Sequence, residues 1–376
     1  MHKNIKFDEN KILISCINSH NYGGLTYWQN FLKNFKTYTR KSKNNFYFII
    51  NENSKISKYI NQKNAIIVKN YIHKNILLRF LYEQIYIPLL IFKKYNFKIF
   101  FNGKNIAPIL IRKKSIIVIR NIEPFFYYRQ KLSLNKFITF FKFILTIICL
   151  KDCYKIISVS KNTKKIIRKY TSKKIFLIPN GISVSVAYKN KWSINKNKNY
   201  ILNVSKFIPY ANQLKLLKIY KECYLQNKNL PPLYFAGDIY DKKYFNEILQ
   251  FINNYKLENK IKFFGYLSKN RLHNMMMRCK LFVFSSELES CPQTILEARS
   301  IGCPILSTNI GPMPEFLKKD AYYFDINNIN KTKNKLLSII NNINKKKILR
   351  KKFLINEFKW KNVVLKYFQV FVSYEK

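Results

Sequence analysis

Short runs of β-branched and aromatic residues alternate with longer helical patterns along the whole chain, and this alternation is the sequence feature that most constrains the fold. It is typical of parallel sheets whose two faces are covered by helices. We therefore predict an α/β protein with doubly wound sheets. The predicted strands cover residues 11–17, 46–51, 65–69, 98–102, 115–120, 155–159 and 175–178 in the first half, and 200–204, 232–236, 260–264, 281–285, 304–307 and 321–324 in the second.

The length of 376 residues suits two domains, since a single core stops growing beyond about 250–300 residues. A polar, Lys- and Asn-rich stretch without apolar periodicity separates the two sets of strands and is the predicted linker. We predict an N-terminal domain over residues 1–185, the linker over 186–199, a C-terminal domain over 200–350, and a terminal helix over 351–376 that packs back toward the first domain. The helical pattern itself runs over residues 345–374, and its core-packing face consists of Trp360, Val363, Val364, Tyr367 and Val370.

The chain carries 69 Lys and Arg residues against 19 Asp and Glu residues, so its formal net charge is +50. Such a charge favours partners that bear phosphate, and nucleic-acid binding is one hypothesis. The lysines are, however, spread along the chain beside many Asn and Ile residues, and no module that stacks bases on aromatic side chains is found. We therefore predict no nucleic-acid partner and expect attraction to an anionic membrane surface.

Cysteines and histidines do not indicate a metal site. The seven cysteines are scattered without paired spacing, which argues against a disulfide framework and favours a reducing cytoplasm. Three histidines without partner spacing are expected to be structural or surface residues: His20, His73 and His273.

The most apolar stretch, residues 137–150, is interrupted by Lys142. It is shorter than the roughly 20 apolar residues that a spanning helix needs. We expect a buried or amphipathic helix there, of the kind that can lie on a membrane. The first ten residues lack the apolar region of a signal peptide. These patterns favour a cytoplasmic protein that is peripheral on the inner face of the plasma membrane.

Residues 281–315 carry the most chemical information. An apolar strand, LFVFSS, runs into the loop ELESCPQT and then into a helix. Glu289 lies in the loop and Glu297 lies in the helix, whose first turn near Thr294 offers backbone amides. Helix amides suit a phosphate, and carboxylates suit the hydroxyls of a sugar or ribose. At the carboxyl end of a strand in an open sheet, this pattern indicates a ligand that is part diphosphate and part polyol.

The segment resembles the donor-binding motif of the retaining GT-B glycosyltransferases of family 4: a strand, Ser, Glu, seven residues, Glu-Ala and then Gly-x-Pro. The resemblance covers nearly the whole chain and implies the GT-B fold, in which two doubly wound Rossmann-like domains face a central cleft. Further stretches follow the family in order: NYGG at 21–24, IISVSKNTKKII at 156–167, IPNGI at 178–182, ILNVSKFIPYANQ at 201–213, YFAGD at 234–238, IKFFGYLS at 261–268 and FKWKNVV near the end.

By this resemblance, Glu297 would hold the ribose of the nucleotide and Glu289 would contact the transferred sugar. The family's usual Phe-Gly after the first glutamate is replaced here by Ser-Cys-Pro, and the proline has no amide proton to donate. The other residues that we assign to the donor are Gln293, Thr294, Cys291, Ser290, Gly237, Gly23, Gly24 and Lys215.

An enzyme that uses no metal needs fixed cations and dipoles aimed at the departing diphosphate. Lys206 lies where the family places an Arg for this purpose, so the charge is kept without the bidentate fork. A second basic residue is expected five positions later, where this chain has Ala211. Lys215, one turn into the next helix, could replace it or could be an ordinary solvated lysine.

Two glycines and an asparagine follow strands of the first domain. Gly23 and Gly24 let the backbone approach a phosphate or an acceptor closely, or they form an ordinary tight turn. Asn121, two positions before Glu123, can hydrogen-bond a sugar hydroxyl or cap a turn. In the second domain, we expect Gly237 to shape the pocket beside the base.

The resemblance implies a retaining, hexosyltransferase-type enzyme of class EC 2.4 that needs neither metal nor cofactor. It would move a sugar from a UDP- or GDP-sugar to a lipid-linked or glycan acceptor during the assembly of O-antigen, lipopolysaccharide or capsule in a bacterial envelope. The alternative is a protein that keeps the fold without catalysis and acts in binding or assembly, and Ala211 is its main support.

Overall fold

The computed structural model describes residues 11–17, 22–39, 42, 45–92, 97–130, 132–183, 199–342 and 356–373. The chain divides into two compact units. Unit 1 comprises Met1–Gly181 together with Asn356–Lys376, and unit 2 comprises Ile182–Ile355. The predicted linker, residues 186–199, lies outside the described residues except for Asn199.

Unit 1 contains a seven-stranded parallel sheet in the order β3-β2-β1-β4-β5-β6-β7. All residues of the fifth strand are buried, as expected of a parallel strand covered on both faces. The strands are β1 (Lys11–Ser15), β2 (Asn45–Asn51), β3 (Ala65–Val68), β4 (Ile99–Phe101), β5 (Ser115–Ile119), β6 (Lys155–Ser158) and β7 (Ile175–Leu177).

The helices of unit 1 include one that returns from the far end of the chain. That helix, α13, packs against α1, and the ring centroids of Phe31 and Tyr367 lie 5.5 Å apart. The helices are α1 (Tyr22–Thr39), α2 (Asn70–Lys74), α3 (Ile76–Leu81), α4 (Ile87–Leu90), α5 (Leu134–Asp152), α6 (Lys161–Ile167) and α13 (Trp360–Val372). Short 3-10 segments cover Ser57–Tyr59, Gln62–Asn64, Ile109–Lys114, Glu123–Arg129 and Asn356–Phe358.

Unit 2 contains a six-stranded parallel sheet in the order β10-β9-β8-β11-β12-β13. Its strands are β8 (Ile201–Val204), β9 (Leu233–Ala236), β10 (Ile261–Phe263), β11 (Leu281–Phe284), β12 (Ile305–Thr308) and β13 (Tyr322–Phe324). Its helices are α7 (Gln213–Gln226), α8 (Lys242–Asn254), α9 (Lys269–Arg278), α10 (Gln293–Ile301), α11 (Met313–Leu317) and α12 (Ile329–Asn342). Two 3-10 turns, Pro209–Ala211 and Lys318–Asp320, complete the unit.

The predicted α/β class with two doubly wound sheets is confirmed. In each sheet the strand order reverses once, between β1 and β4 in unit 1 and between β8 and β11 in unit 2. Ligands of open α/β sheets bind outside the carboxyl ends of the strands at such a reversal. The two strands of unit 2 that flank its reversal lead into the loops that carry Lys206 and Glu289.

One predicted helix is interrupted in the structure, and another is described only in part. The pattern over residues 76–95 forms α3, a π-helical turn at Tyr82–Tyr86 and then α4, which contains Pro88. A proline offers no amide proton to the helical ladder, so a widened turn before it is understandable. In the pattern over residues 345–374, the described part forms a 3-10 turn at Asn356–Phe358 and the helix α13 from Trp360, and residues 343–355 lie outside the described residues. Within the described part of the chain, no helix has both the length and the apolarity to cross a bilayer.

Candidate functional site

Hydrogen bonds hold together the loops that follow β8 and β11. The Ser285 hydroxyl donates to the carbonyl of Ala211 over 2.7 Å. The amide of Glu287 donates to the carbonyl of Tyr210 over 2.9 Å. Because the two strands are neighbours in the sheet, these bonds place two separate sequence motifs at one edge of unit 2.

Glu297 is buried on α10 and lies against two basic side chains of α9. Its Oε1 is 3.0 Å from Nζ of Lys269, and its Oε2 is 3.5 Å from Nε2 of His273. Lys269 and His273 are four residues apart, so they share one face of α9. Burial raises the pKa of the Glu297 carboxyl, but its contacts with His273 and Lys269 outweigh this and hold the pKa below its ordinary value. Glu297 is therefore a fixed, ionised acceptor at neutral pH.

Glu289 lies in the loop after β11 and has the opposite electrostatic character. Burial raises the pKa of its carboxyl to about 7, although a hydrogen bond with Ser286 acts in the other direction. Near neutral pH this carboxyl is divided between its protonated and ionised forms. It can therefore donate a hydrogen bond as well as accept one.

The first turn of α10 begins directly after the loop. The helix starts at Gln293, and Pro292 at its N-cap makes no side-chain cap. The predicted residues Gln293 and Thr294 are half-buried there, and Ser290 and Cys291 are buried just before them. The turn thus supplies backbone amides and the positive end of a helix dipole at the edge of the sheet.

Lys206 and Gly237 follow neighbouring strands, β8 and β9. Lys206 is exposed, and its Nζ lies 5.4 Å from the centroid of the Tyr240 ring. Gly237 has a φ of +150°, and a Cβ placed on it would lie 2.0 Å from the carbonyl oxygen of Ser205. Only glycine allows this close approach of the two strand ends.

Ala211 and Lys215 lie on the segment that leads from β8 into α7. Ala211 is buried at the end of a 3-10 turn. The Nζ of Lys215 lies 2.8 Å from Oδ1 of Asn327 and 3.4 Å from Oε1 of Glu287. The lysine predicted as a replacement cation thus neutralises Glu287, in the same loop as Glu289.

The predicted residues of unit 1 lie at the carboxyl ends of its strands. Gly23 and Gly24 belong to the first turn of α1, as predicted for the helix start after β1. Asn121 follows β5, and its Oδ1 accepts a hydrogen bond from the amide of Glu123 over 2.9 Å. The structure therefore contains the turn cap, and contact of Asn121 with a sugar hydroxyl stays a prediction.

Sequence reasoning missed Lys269 and His273. His273, expected to be a structural or surface residue, is 2% exposed and lies beside Glu297, so of the two roles the structure favours the structural one. A signal existed in the four-residue spacing of the two basic residues. Which helix that face would pack against could not be known without the fold. His20 lies outside the described residues.

Comparison with known proteins adds to this geometry. Residues 185–353 match the family described as glycosyl transferases group 1. This match covers most of unit 2 and less than half of the chain. The capsular polysaccharide biosynthesis glycosyltransferase CapH of Staphylococcus aureus is 31% identical over 158 residues, which are 42% of this chain and 43% of that protein. The chain thus spans less than half the length of this curated relative.

Solved structures extend the likeness in fold to both units. Sucrose-phosphate synthase from Thermosynechococcus elongatus matches with a TM-score of 0.71 at 12% identity, over 96% of this chain and 98% of that chain. Anabaena HepE, solved in complex with UDP and glucose, matches with a TM-score of 0.68 at 14% identity, over 97% of this chain and all of that chain. At such identities the likeness shows the fold, and it confirms the predicted GT-B class.

Proposed function

We propose that this protein is a retaining glycosyltransferase that moves a hexose from a UDP- or GDP-sugar to a lipid-linked or glycan acceptor during the assembly of cell-envelope polysaccharide. The observation that carries the proposal is the buried, ionised Glu297, set beside a helix N-terminus at the strand reversal of a group 1 glycosyl transferase domain. The capsular relative and the neighbour that binds UDP support the setting and the donor class.

In this proposal, each part of the donor meets a group suited to it. The ribose hydroxyls donate to Glu297, whose carboxylate is held in place by Lys269 and His273. The diphosphate accepts hydrogen bonds from the amides at the start of α10, and Lys206 neutralises its charge. In this arrangement the donor site needs no metal or cofactor. Glu289 contacts the sugar, either as donor or as acceptor of a hydrogen bond.

The reaction then needs no protein nucleophile. The bond between the anomeric carbon and the diphosphate oxygen breaks as negative charge gathers on the diphosphate, where Lys206 and the helix amides stabilise it. The acceptor hydroxyl attacks the anomeric carbon from the same face, its proton passes to the departing diphosphate oxygen, and the configuration of the anomeric carbon is retained. We place the reaction at the inner face of the plasma membrane.

A second candidate function is donor binding without turnover. It is favoured by the buried Ala211 at the expected cation position and by the contacts of Lys215 with Asn327 and Glu287. Because Ala211 carries no charge and Lys215 is held by Asn327 and Glu287, we assign Lys206 alone to the leaving group.

Nucleotide binding and turnover test the two candidates. We expect the purified chain to bind UDP or GDP in calorimetry and to release the nucleotide from one of a set of UDP- and GDP-hexoses. The Glu297→Gln variant should weaken nucleotide binding about tenfold or more, because a hydrogen bond to a charged group contributes roughly 1.5–3 kcal/mol.

The matched control is Glu258→Gln, an exposed glutamate of unit 2, which should bind as the wild type does. Binding that is equal in Glu297→Gln and wild type would overturn the assignment. Binding without turnover of any donor would favour the second candidate. NMR of the product would test retention through the anomeric configuration.

A further inference from the structure

Unit 1 exposes an unusual number of large apolar side chains on two helical segments. Half of the exposed large hydrophobic residues in the described part of the chain lie within residues 76–92 and 134–144. Soluble monomers rarely expose contiguous apolar patches larger than a few hundred Å². We call the exposed apolar side chains of these two segments, together with Leu110, the apolar face.

In the first segment the exposed side chains form a stripe. Leu77, Leu81, Ile85 and Leu89 are spaced by four residues, and each is at least 41% exposed. Ile87 on the opposite side is fully buried against the sheet. The segment therefore presents one apolar side to its own core and a second apolar side outward.

The second segment, the first half of α5, also carries exposed apolar side chains, and Thr139 is its one buried residue. Leu134, Phe137, Ile138 and Phe141 point outward, and their exposed fractions range from 43% to 75%. The buried side chains of α5 include Thr146 and Leu150. More than half of the surface of Phe137 and of Phe141 faces solvent and is not covered by the core of the unit.

Both segments lie on the same face of the sheet. They follow β3 and β5 and lead to β4 and β6, so right-handed crossovers in this strand order place both opposite α1. The 3-10 segment Ile109–Lys114 bridges them: the amide of Ile109 donates to Gln84 over 3.1 Å, and Arg112 donates to Asp152 over 2.8 Å. Between these contacts, Leu110 is 67% exposed.

The charges on this face select an anionic partner. The first segment contains one acidic residue, Glu83, and the second contains none; Glu83 and Asp152, at the far end of α5, are in ion pairs with Lys104 and Arg112 respectively. Exposed cations lie within or next to these segments in the chain, namely Lys74 and Lys142, and on the 3-10 segments that contact them, namely Lys113 and Arg129. A second copy of this chain, with its net charge of +50, would bring more positive charge to the same place.

We propose that the apolar face docks unit 1 onto an anionic lipid bilayer, with the stripe and the phenylalanines of α5 among the acyl chains and the flanking lysines at the headgroups. Lys142 follows Phe141, and its long stem can reach the headgroups while the ring inserts. The inference deepens the proposed function by naming a partner surface, and it rests on that function only for its biological setting. It stands or falls independently of sugar transfer.

Vesicle co-sedimentation with the full chain tests the proposal. We expect binding to vesicles of phosphatidylcholine with phosphatidylglycerol, weaker binding to phosphatidylcholine alone, and a decline as salt is raised. The double variants Phe137→Ser/Phe141→Ser and Leu81→Ser/Ile85→Ser should each lower the partition coefficient about tenfold or more, because each loses two inserted apolar side chains.

The matched control is Leu225→Ser/Leu249→Ser, which changes two exposed leucines on helices of unit 2 and should bind as the wild type does. Lys142→Glu should weaken binding, and Lys335→Glu in unit 2 should do so less. Melting curves identify any variant that fails to fold. If one double variant fails to fold, the test uses the double variant on the other helical segment.

Three outcomes would overturn the proposal: equal binding of the apolar-face variants and the wild type, equal binding to neutral and anionic vesicles, or a lipid-free dimer that these variants dissociate. The last would make the face a contact between two copies. If the protein binds vesicles but turns over no donor, the membrane-docking inference holds and the proposed glycosyltransferase activity does not.

Discussion

Glu289 and Glu297 have the same side chain, yet the structure gives them opposite environments. Glu297 lies against Lys269 and His273, which hold its pKa below the ordinary range. Glu289 is half-buried in its loop, and burial raises its pKa to about 7 against a hydrogen bond with Ser286. The sequence spacing predicted that both would belong to one loop and helix. It could not predict their charges, because the two basic partners come from a helix that follows another strand.

The raised pKa of Glu289 predicts a pH-dependent stability. The folded protein prefers the protonated carboxyl, so stability is fully present below the unfolded pKa of about 4.5 and is lost as the pH rises toward about 7. The Glu289→Gln variant keeps the group neutral. We expect it to be more stable than the wild type above pH 7, by up to about 2 kcal/mol, and equal to it near pH 4.5.

Denaturant melts of both proteins between pH 4.5 and 8.5 measure this difference. Glu258→Gln, on the surface of the same unit, should show no such trend. A constant difference between Glu289→Gln and wild type across the whole range would contradict the assigned environment of Glu289.

At the scale of elements, much of the fold could be predicted. Every strand of both sheets lies within or beside a predicted strand, because buried parallel strands are short apolar runs that stand out between helical patterns. Helix ends were harder. The pattern over residues 76–95 gives no sign that the hydrogen-bond ladder widens before Pro88. Such ends depend on tertiary packing.

Gly237 shows how one position holds several elements together. Its amide donates to the carbonyl of Gly265 over 2.8 Å, and its Cα lies against the backbone of Ser205. We expect Gly237→Ala to destabilise unit 2 by roughly 2–4 kcal/mol, because the new methyl group collides with a backbone carbonyl at an unfavourable φ.

Gly265→Ala is the matched comparison, since Gly265 also has a positive φ, of +58°, but has open space around its Cβ position. Its cost should be only about 1 kcal/mol of backbone strain. Differential scanning fluorimetry should therefore show a clearly larger loss of Tm for Gly237→Ala. Equal losses of Tm in the two variants would mean that the close approach of the strand ends does not contribute to stability.

At the scale of the whole molecule, unit 1 is assembled from two distant stretches of chain. Phe371 of α13 is fully buried, and its ring centroid lies 4.8 Å from that of Phe101 and 5.8 Å from that of Phe35. The sequence indicated an apolar face on the terminal helix. Which rings it meets depends on α1 and β4, which lie more than 250 positions earlier.

This packing predicts that a change near the end of the chain destabilises the beginning. Phe371→Ala should lower the stability of unit 1 by about 3–5 kcal/mol, the usual cost of emptying a buried aromatic site. Hydrogen exchange should show faster opening of amides in α1 and β4. Leu365→Ala, at a 37% exposed position of the same helix, is the control and should change little. Opening that is equally fast throughout unit 2 would contradict this local effect.

The return of α13 to unit 1 also sets an order of events at the ribosome. The segment Met1–Gly181 is synthesised long before the helix that completes its core, and all of unit 2 emerges in between. Until then, Phe31 and Phe35 lack their contacts with Tyr367 and Phe371 and are exposed on the nascent chain to solvent or to a chaperone. The unit made first is the last that can finish folding.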